Sequence, residues 1–209
     1  MTARTFRIDR GESRPRASSQ ARAYVYVAPC RDEELLKIGF SRTPLERLQT
    51  LYARYFDFFD LDRAFLIETD RVKDARRIER LLGERVADHS APAPLLVPRR
   101  AAGHTEWYRG AFDSLRDAAA ELARQGYCVH APLRQWLREQ LELRQHLLFD
   151  WSAHQLDALV YATQVAPGGS EAIAIERVLH NALDAYATMG CALESTLPQA
   201  VIEWYSPRH

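Results

Sequence analysis

Lysine is nearly missing from this chain: of its 28 basic residues only Lys37 and Lys73 are lysines, and the rest are arginines. Net charge is missing too, because 28 acidic residues balance the basic ones, which excludes a protein held to polyanions by bulk charge alone. The three cysteines, Cys30, Cys128 and Cys191, lie far apart with no paired spacing, so neither a disulfide framework nor a cysteine-based zinc motif is predicted, and each is expected to be a small buried hydrophobe. No uninterrupted apolar run approaches the roughly 20 residues that span a bilayer, and no apolar core follows the basic N-terminus as a signal peptide requires. The expectation is a soluble, cytoplasmic protein with no membrane partner.

The chain is 209 residues long, 47% hydrophobic and 27% charged, an ordinary globular composition that suits one mid-sized domain or a small domain with an appendage. Its charge is unevenly spread: residues 1–23 carry six arginines against Asp9 and Glu12, whereas residues 131–209 carry five arginines against nine acids. Residues 1–22 lack periodicity and contain Gly11, Pro15 and a Ser/Arg-rich run, so they read as a disordered basic arm.

Order is expected from Ala23. Tyr24 to Val27 and Leu35 to Phe40 are short β-branched and aromatic runs separated by an acidic turn, the pattern of a hairpin. Thr43-Pro44-Leu45-Glu46 reads as a capping box that opens a helix with Leu45, Leu48, Leu51, Tyr52 and Tyr55 at helical spacing, ending near Phe56-Asp57. A third strand is expected over Leu61–Thr69. A second helix from Asp70 to about Val86 places Ala75, Ile78, Leu82 and Val86 on one face and arginines on the other. A long loop with Pro92, Pro94, Pro98 and Gly103 follows, then a short strand candidate at Glu106-Trp107-Tyr108 and a helix stopped by Gly126. Beyond Pro132 the pattern is helix only: one helix through Trp136, Leu141 and Leu148, another through Leu156 and Val160, and a third from Ile173 to Tyr186. The fold class is therefore α+β, with a small three-stranded antiparallel sheet flanked by helices over residues 23–130 and an all-helical C-terminal region over residues 131–209.

Residues 24–108 present their features in an order that resembles the GIY-YIG endonuclease superfamily, and within it the phage and bacterial branch with a Lys-Ile-Gly second motif. Tyr24-Val25-Tyr26 stands where the first motif belongs and Lys37-Ile38-Gly39 where the second does. Arg47 follows on the first helix, Glu79 on the next long one, and Thr105-Glu106-Trp107-Tyr108 is similar to the aromatic strand that closes the branch's domain. The resemblance implies Tyr24, Tyr26, Lys37 and Arg47 as catalytic residues, Glu79 as ligand of Mg²⁺ or Mn²⁺, and DNA as substrate. Two positions depart from the wider superfamily: Lys37 stands where most members have a Tyr, and Leu51 where several restriction-type members carry a His.

Phosphodiester hydrolysis gives its own reasons for these residue types. It needs an attacking water, a group to orient or deprotonate it, and positive charge where the transition state gathers negative charge. Tyr26 suits the task of orienting or deprotonating the water, and the Arg47 fork matches two phosphate oxygens. A lone carboxylate such as Glu79 suits a hard cation that keeps several of its own waters. With arginine so abundant, a lysine at position 37 points to a need for an amine. Arg42, Lys73, Arg76 and Arg80 are the candidate DNA-phosphate contacts, the last three forming a ridge on the second helix. Glu106 and Trp107 read as structural, and no histidine is assigned to a metal. The alternative is a nucleic-acid-binding or regulatory module that keeps the fold without cleavage. The acidic C-terminal helices are expected to pack on the small domain or to mediate self-association.

Overall fold

The computed structural model describes residues 22–102 and 106–206, so the N-terminal arm expected over residues 1–22 lies, but for Arg22, outside the described residues. Strands β1 (Ala23–Pro29) and β2 (Leu35–Ser41) form the expected antiparallel hairpin, in a register that sets Tyr26 opposite Gly39 and Ala28 opposite Lys37. Strand β3 (Phe65–Thr69) pairs with the other side of β1, β4 (Trp107–Arg109) with β2, and β5 (Val129–His130) with β3. The sheet thus has five strands, in the order β4-β2-β1-β3-β5, all antiparallel, and not the three expected from sequence. The two outer strands are three and two residues long, too short to show a period of two; they exist because β2 and β3 offer backbone groups to pair.

Helix α1 (Pro44–Leu51) starts at the expected proline, but the Thr43 side chain does not cap it; the Thr43 N–H instead donates to Ser41 Oγ at 3.0 Å. It also stops at Leu51, where Tyr52 turns extended, and α2 (Tyr55–Phe58) is a separate turn rather than its continuation. Helix α3 (Val72–Arg85) follows β3, α4 (Arg99–Ala102) lies in the proline-rich connection, and α5 (Phe112–Arg124) ends before Gly126, whose φ of 96° explains the glycine at this helix stop. Helix α6 (Leu133–Val165) is a single helix of 33 residues where the sequence pattern reads as two. Its apolar stripe shifts because its partners change: the first half packs in the main core with Trp136, Leu137, Leu141 and Leu148, and the second half in a separate cluster with Leu159 and Ala162. Helices α7 (Ser170–Thr188) and α8 (Gln199–Tyr205) complete the chain. Among the described residues no helix is long and apolar enough to cross a membrane.

The sheet is covered on both faces. Val25, Val27, Ile38 and Ile67 pack against Ile78 and Leu82 of α3 and Leu115 of α5. On the opposite face Tyr26, Leu66 and Trp107 pack with Leu45 and Leu48 of α1 and Tyr55 and Phe56 of α2, and this core continues into Leu133 and Leu137 of α6 and Leu179 and Leu183 of α7. Each fully buried side chain of this size contributes about 1.5–3 kcal/mol. The C-terminal helices are thereby joined to the sheet domain. The Leu133 N–H donates to the Ala64 carbonyl at 2.8 Å, and Arg134 grips the Asp62 carboxylate at 2.6 and 3.0 Å. Cys30 and Cys191 are buried as expected, but Cys128 is exposed beside β5.

Candidate active site

Tyr26 is at the centre of the site, and Gly39 makes room for it. The Tyr26 ring crosses its opposite residue so closely that a Cβ at position 39 would lie 2.3 Å from the phenolic oxygen. A glycine is required there by approach. Arg47, half-buried on α1, donates from Nε to the Tyr26 hydroxyl at 3.3 Å and from a terminal nitrogen to the Ala101 carbonyl at 2.8 Å. Burial pushes the Tyr26 phenol up to about 12 although the Arg47 guanidinium pulls the other way. Near neutral pH the phenol therefore keeps its proton, which suits it to orient a water or an oxyanion rather than to act alone as a base.

Lys37 lies on the same face of the sheet, two residues from Gly39 along β2. Its side chain is fully buried, its amine bonds Glu106, and it stands 5.5 Å from the centre of the Trp107 ring. Burial lowers the pKa of the amine, and the Glu106 carboxylate opposes that shift. Arg47 lowers it further and Glu79 raises it, so the cations and the acids form one electrostatic group.

Glu79 reaches this group from α3, which lies on the opposite face. The reason is the short β4: it pairs only with Leu35 to Lys37, and beyond it the outer edge of β2 is bonded by single groups, the Ile38 N–H by the Glu106 carbonyl at 3.0 Å and the Phe40 N–H by the Glu79 carboxylate. Through this opening, burial and the neighbouring Glu106 raise the Glu79 pKa. Glu79 and Glu106 line one open cleft with Arg80, Gly83, Ser90 and Tyr108. Two carboxylates lining one cleft are a donor set suited to Mg²⁺ or Mn²⁺, since both metals favour oxygen ligands and a cation offsets the charge that Glu106 places beside Glu79.

The other sequence candidates fall outside this group or at its rim. Tyr24 sits two residues along β1 and packs edge-on against Trp136 at 5.2 Å between ring centres, a packing contact away from Lys37. Arg42 is exposed just after β2. Lys73, Arg76 and Arg80 are exposed on α3; the Arg76 guanidinium stands 5.3 Å from the Phe40 ring, and Arg80 pairs with Glu84 at 3.7 Å. Glu106 is the member that sequence reasoning placed among structural residues. Its signal was present in Thr105-Glu106-Trp107, the acid preceding the aromatic strand, but only the pairing of β4 with β2 brings it to Lys37.

Comparison with curated proteins and with solved structures returns no match. Residues 23–123, the span from β1 to α5 that contains Tyr26, Lys37, Arg47, Glu79 and Glu106, match the family model described as the T5orf172 domain, a phage-associated domain with homing-endonuclease-like and GIY-YIG-like relationships.

Proposed function

We propose that this protein is a divalent-metal-dependent DNA endonuclease of the GIY-YIG type. The observation that carries this reading is the convergence of a buried phenol, an arginine, a buried lysine and two carboxylates on the open end of β2. The similarity of residues 23–123 to a nuclease-related domain supports it independently.

Glu79 and Glu106 would hold the cation, whose chemistry is to polarise a phosphate oxygen and neutralise its charge. Arg47 takes the scissile phosphate through its guanidinium fork, exchanging its bond to the Ala101 carbonyl for phosphate oxygens. Tyr26 donates its hydroxyl hydrogen bond to hold the attacking water in line. Lys37 is the base: Glu106 is the group that holds its amine charged against burial, so when Glu106 turns to the cation the amine releases its proton to bulk water and, now neutral, takes the proton of the attacking water.

A second reading, a nucleic-acid-binding module without cleavage, is favoured by one observation: the Lys37 amine is fully buried and already paired. A plasmid-nicking assay with Mg²⁺ separates the two. Cleavage that falls by about 100-fold or more in Arg47→Ala and in Glu79→Gln, in line with the loss of a transition-state donor, supports the endonuclease. Salt-dependent DNA binding with no nicking in wild type overturns it in favour of the module.

A further inference from the structure

The sheet edge opposite to β4 carries a second group of metal-ligand residue types, unconnected with the site above. Glu68 lies on β3, Cys128 just before β5 and His130 within it. Antiparallel pairing sets His130 opposite Leu66, and the Glu68 N–H donates to the Cys128 carbonyl at 2.9 Å. Cys128 and His130 are two residues apart in extended chain, so their side chains share a face with that of Glu68. His130 Nε2 is 2.9 Å from Glu68 Oε2 and 3.7 Å from Cys128 Sγ, and the three ligand atoms all lie within 4.8 Å of one another. A tetrahedral zinc ion with bonds of ~2.0–2.3 Å to nitrogen, oxygen and sulfur holds its ligand atoms about 3.3–3.6 Å apart. The two separations from the histidine lie within about half an ångström of that spacing, and the third pair lies no more than 4.8 Å apart, within reach of side-chain rotation.

The surroundings fit this chemistry. Arg22 engages the other carboxylate oxygen, Glu68 Oε1, at 2.9 Å, leaving Oε2 turned to the histidine and cysteine. The His130 ring packs beside the Tyr24–Trp136 pair, 6.4 Å from each between ring centres. Cys128 is exposed, and an open cleft lined by Glu68, Asp70, Asp74 and Cys128 gives an ion a path from solvent. A carboxylate and a thiolate supply two negative charges for a dication. The sulfur and imidazole select zinc over Mg²⁺ or Ca²⁺, which take oxygen.

We propose that Glu68, Cys128 and His130 form a zinc site, with its fourth position taken by water. It clasps the two-residue strand β5 to β3 at the point where the chain enters α6, and so ties the start of that helix to the sheet.

The test is titration of the metal-stripped full-length protein with Co²⁺, followed by absorption. The expected result is a thiolate-to-cobalt charge-transfer band that saturates at one equivalent and is bleached by Zn²⁺. It is retained in Glu79→Gln and lost in Cys128→Ser. Because Cys128 is exposed, the serine variant keeps the wild-type far-ultraviolet circular dichroism. Zn²⁺ raises the thermal midpoint of wild type and not of Cys128→Ser. No band in folded wild type, or an undiminished band in Cys128→Ser, overturns the site. None of these readouts depends on nuclease activity.

Discussion

Gly39 and Glu79 show how single residues are set by the site they serve. At Gly39 the added methyl of an alanine would collide with the phenolic oxygen and ring of Tyr26, and both groups are packed on a sheet that cannot retreat. Gly39→Ala is expected to destabilise the protein by about 1–3 kcal/mol, the usual cost of overpacking, as read from urea denaturation, and to displace Tyr26 from Arg47. Glu79 makes a different prediction. Its pKa in the folded protein lies above the ordinary 4.5, so the folded state holds the proton more tightly than the unfolded chain. The resulting stability is fully present below pH 4.5 and is lost as pH rises through the raised value. Glu79→Gln removes this loss. Plotted against pH, wild-type stability should fall relative to that of Glu79→Gln from about pH 4.5 upwards. Measured unfolding free energies of both across this window check the sign.

At the scale of elements, hydrophobic spacing made most of the regular structure legible. The hairpin, β3, α3 and α5 follow from period-two and helical patterns strong enough to survive without context. The failures have physical causes. The β5 strand is two residues long and owes its existence to the open edge of β3. Helix α6 looks like two helices because its buried face is defined by different neighbours along its length, and no glycine or proline interrupts it between Leu133 and Val165. Thr43 carries the residue type of a cap, yet its backbone is already tied to Ser41. The first half of α6 bears part of the core shared with the sheet, where Leu137 is wholly buried. Leu137→Ala is predicted to cost about 2–5 kcal/mol in a single cooperative transition; a loss confined to the helical signal, with the tryptophan signal of the sheet domain unmoved, would show that the two parts fold apart.

Across the whole molecule, zero net charge conceals a surface divided by sign. The exposed Lys73, Arg76 and Arg80 lie on the same helix as Glu79, so α3 joins a basic ridge to the acid group, while the acidic C-terminal helices lie over the opposite face of the sheet. DNA affinity should depend on salt through a few contacts only. Replacing Lys73, Arg76 and Arg80 together by alanine is expected to lower the slope of log affinity against log salt by about 2, less than three full contacts because Arg80 already pairs with Glu84. An unchanged slope would remove α3 from the DNA interface.

Sequence alone determined the hairpin and its two motifs, the proline start of α1, the helix carrying Glu79, and the order of candidate residues that resembles a nuclease. These are local matters, fixed by spacing and backbone preference. Only the tertiary structure decided which of those residues meet. It packed Tyr24 on Trp136, brought Glu106 to Lys37 through the pairing of β4 with β2, and let Glu79 reach round the open edge of β2 from the opposite layer. It also gathered Glu68, Cys128 and His130 from positions about 60 residues apart. Such meetings depend on strand register and on where a short strand ends, and neither leaves a periodic trace in the chain.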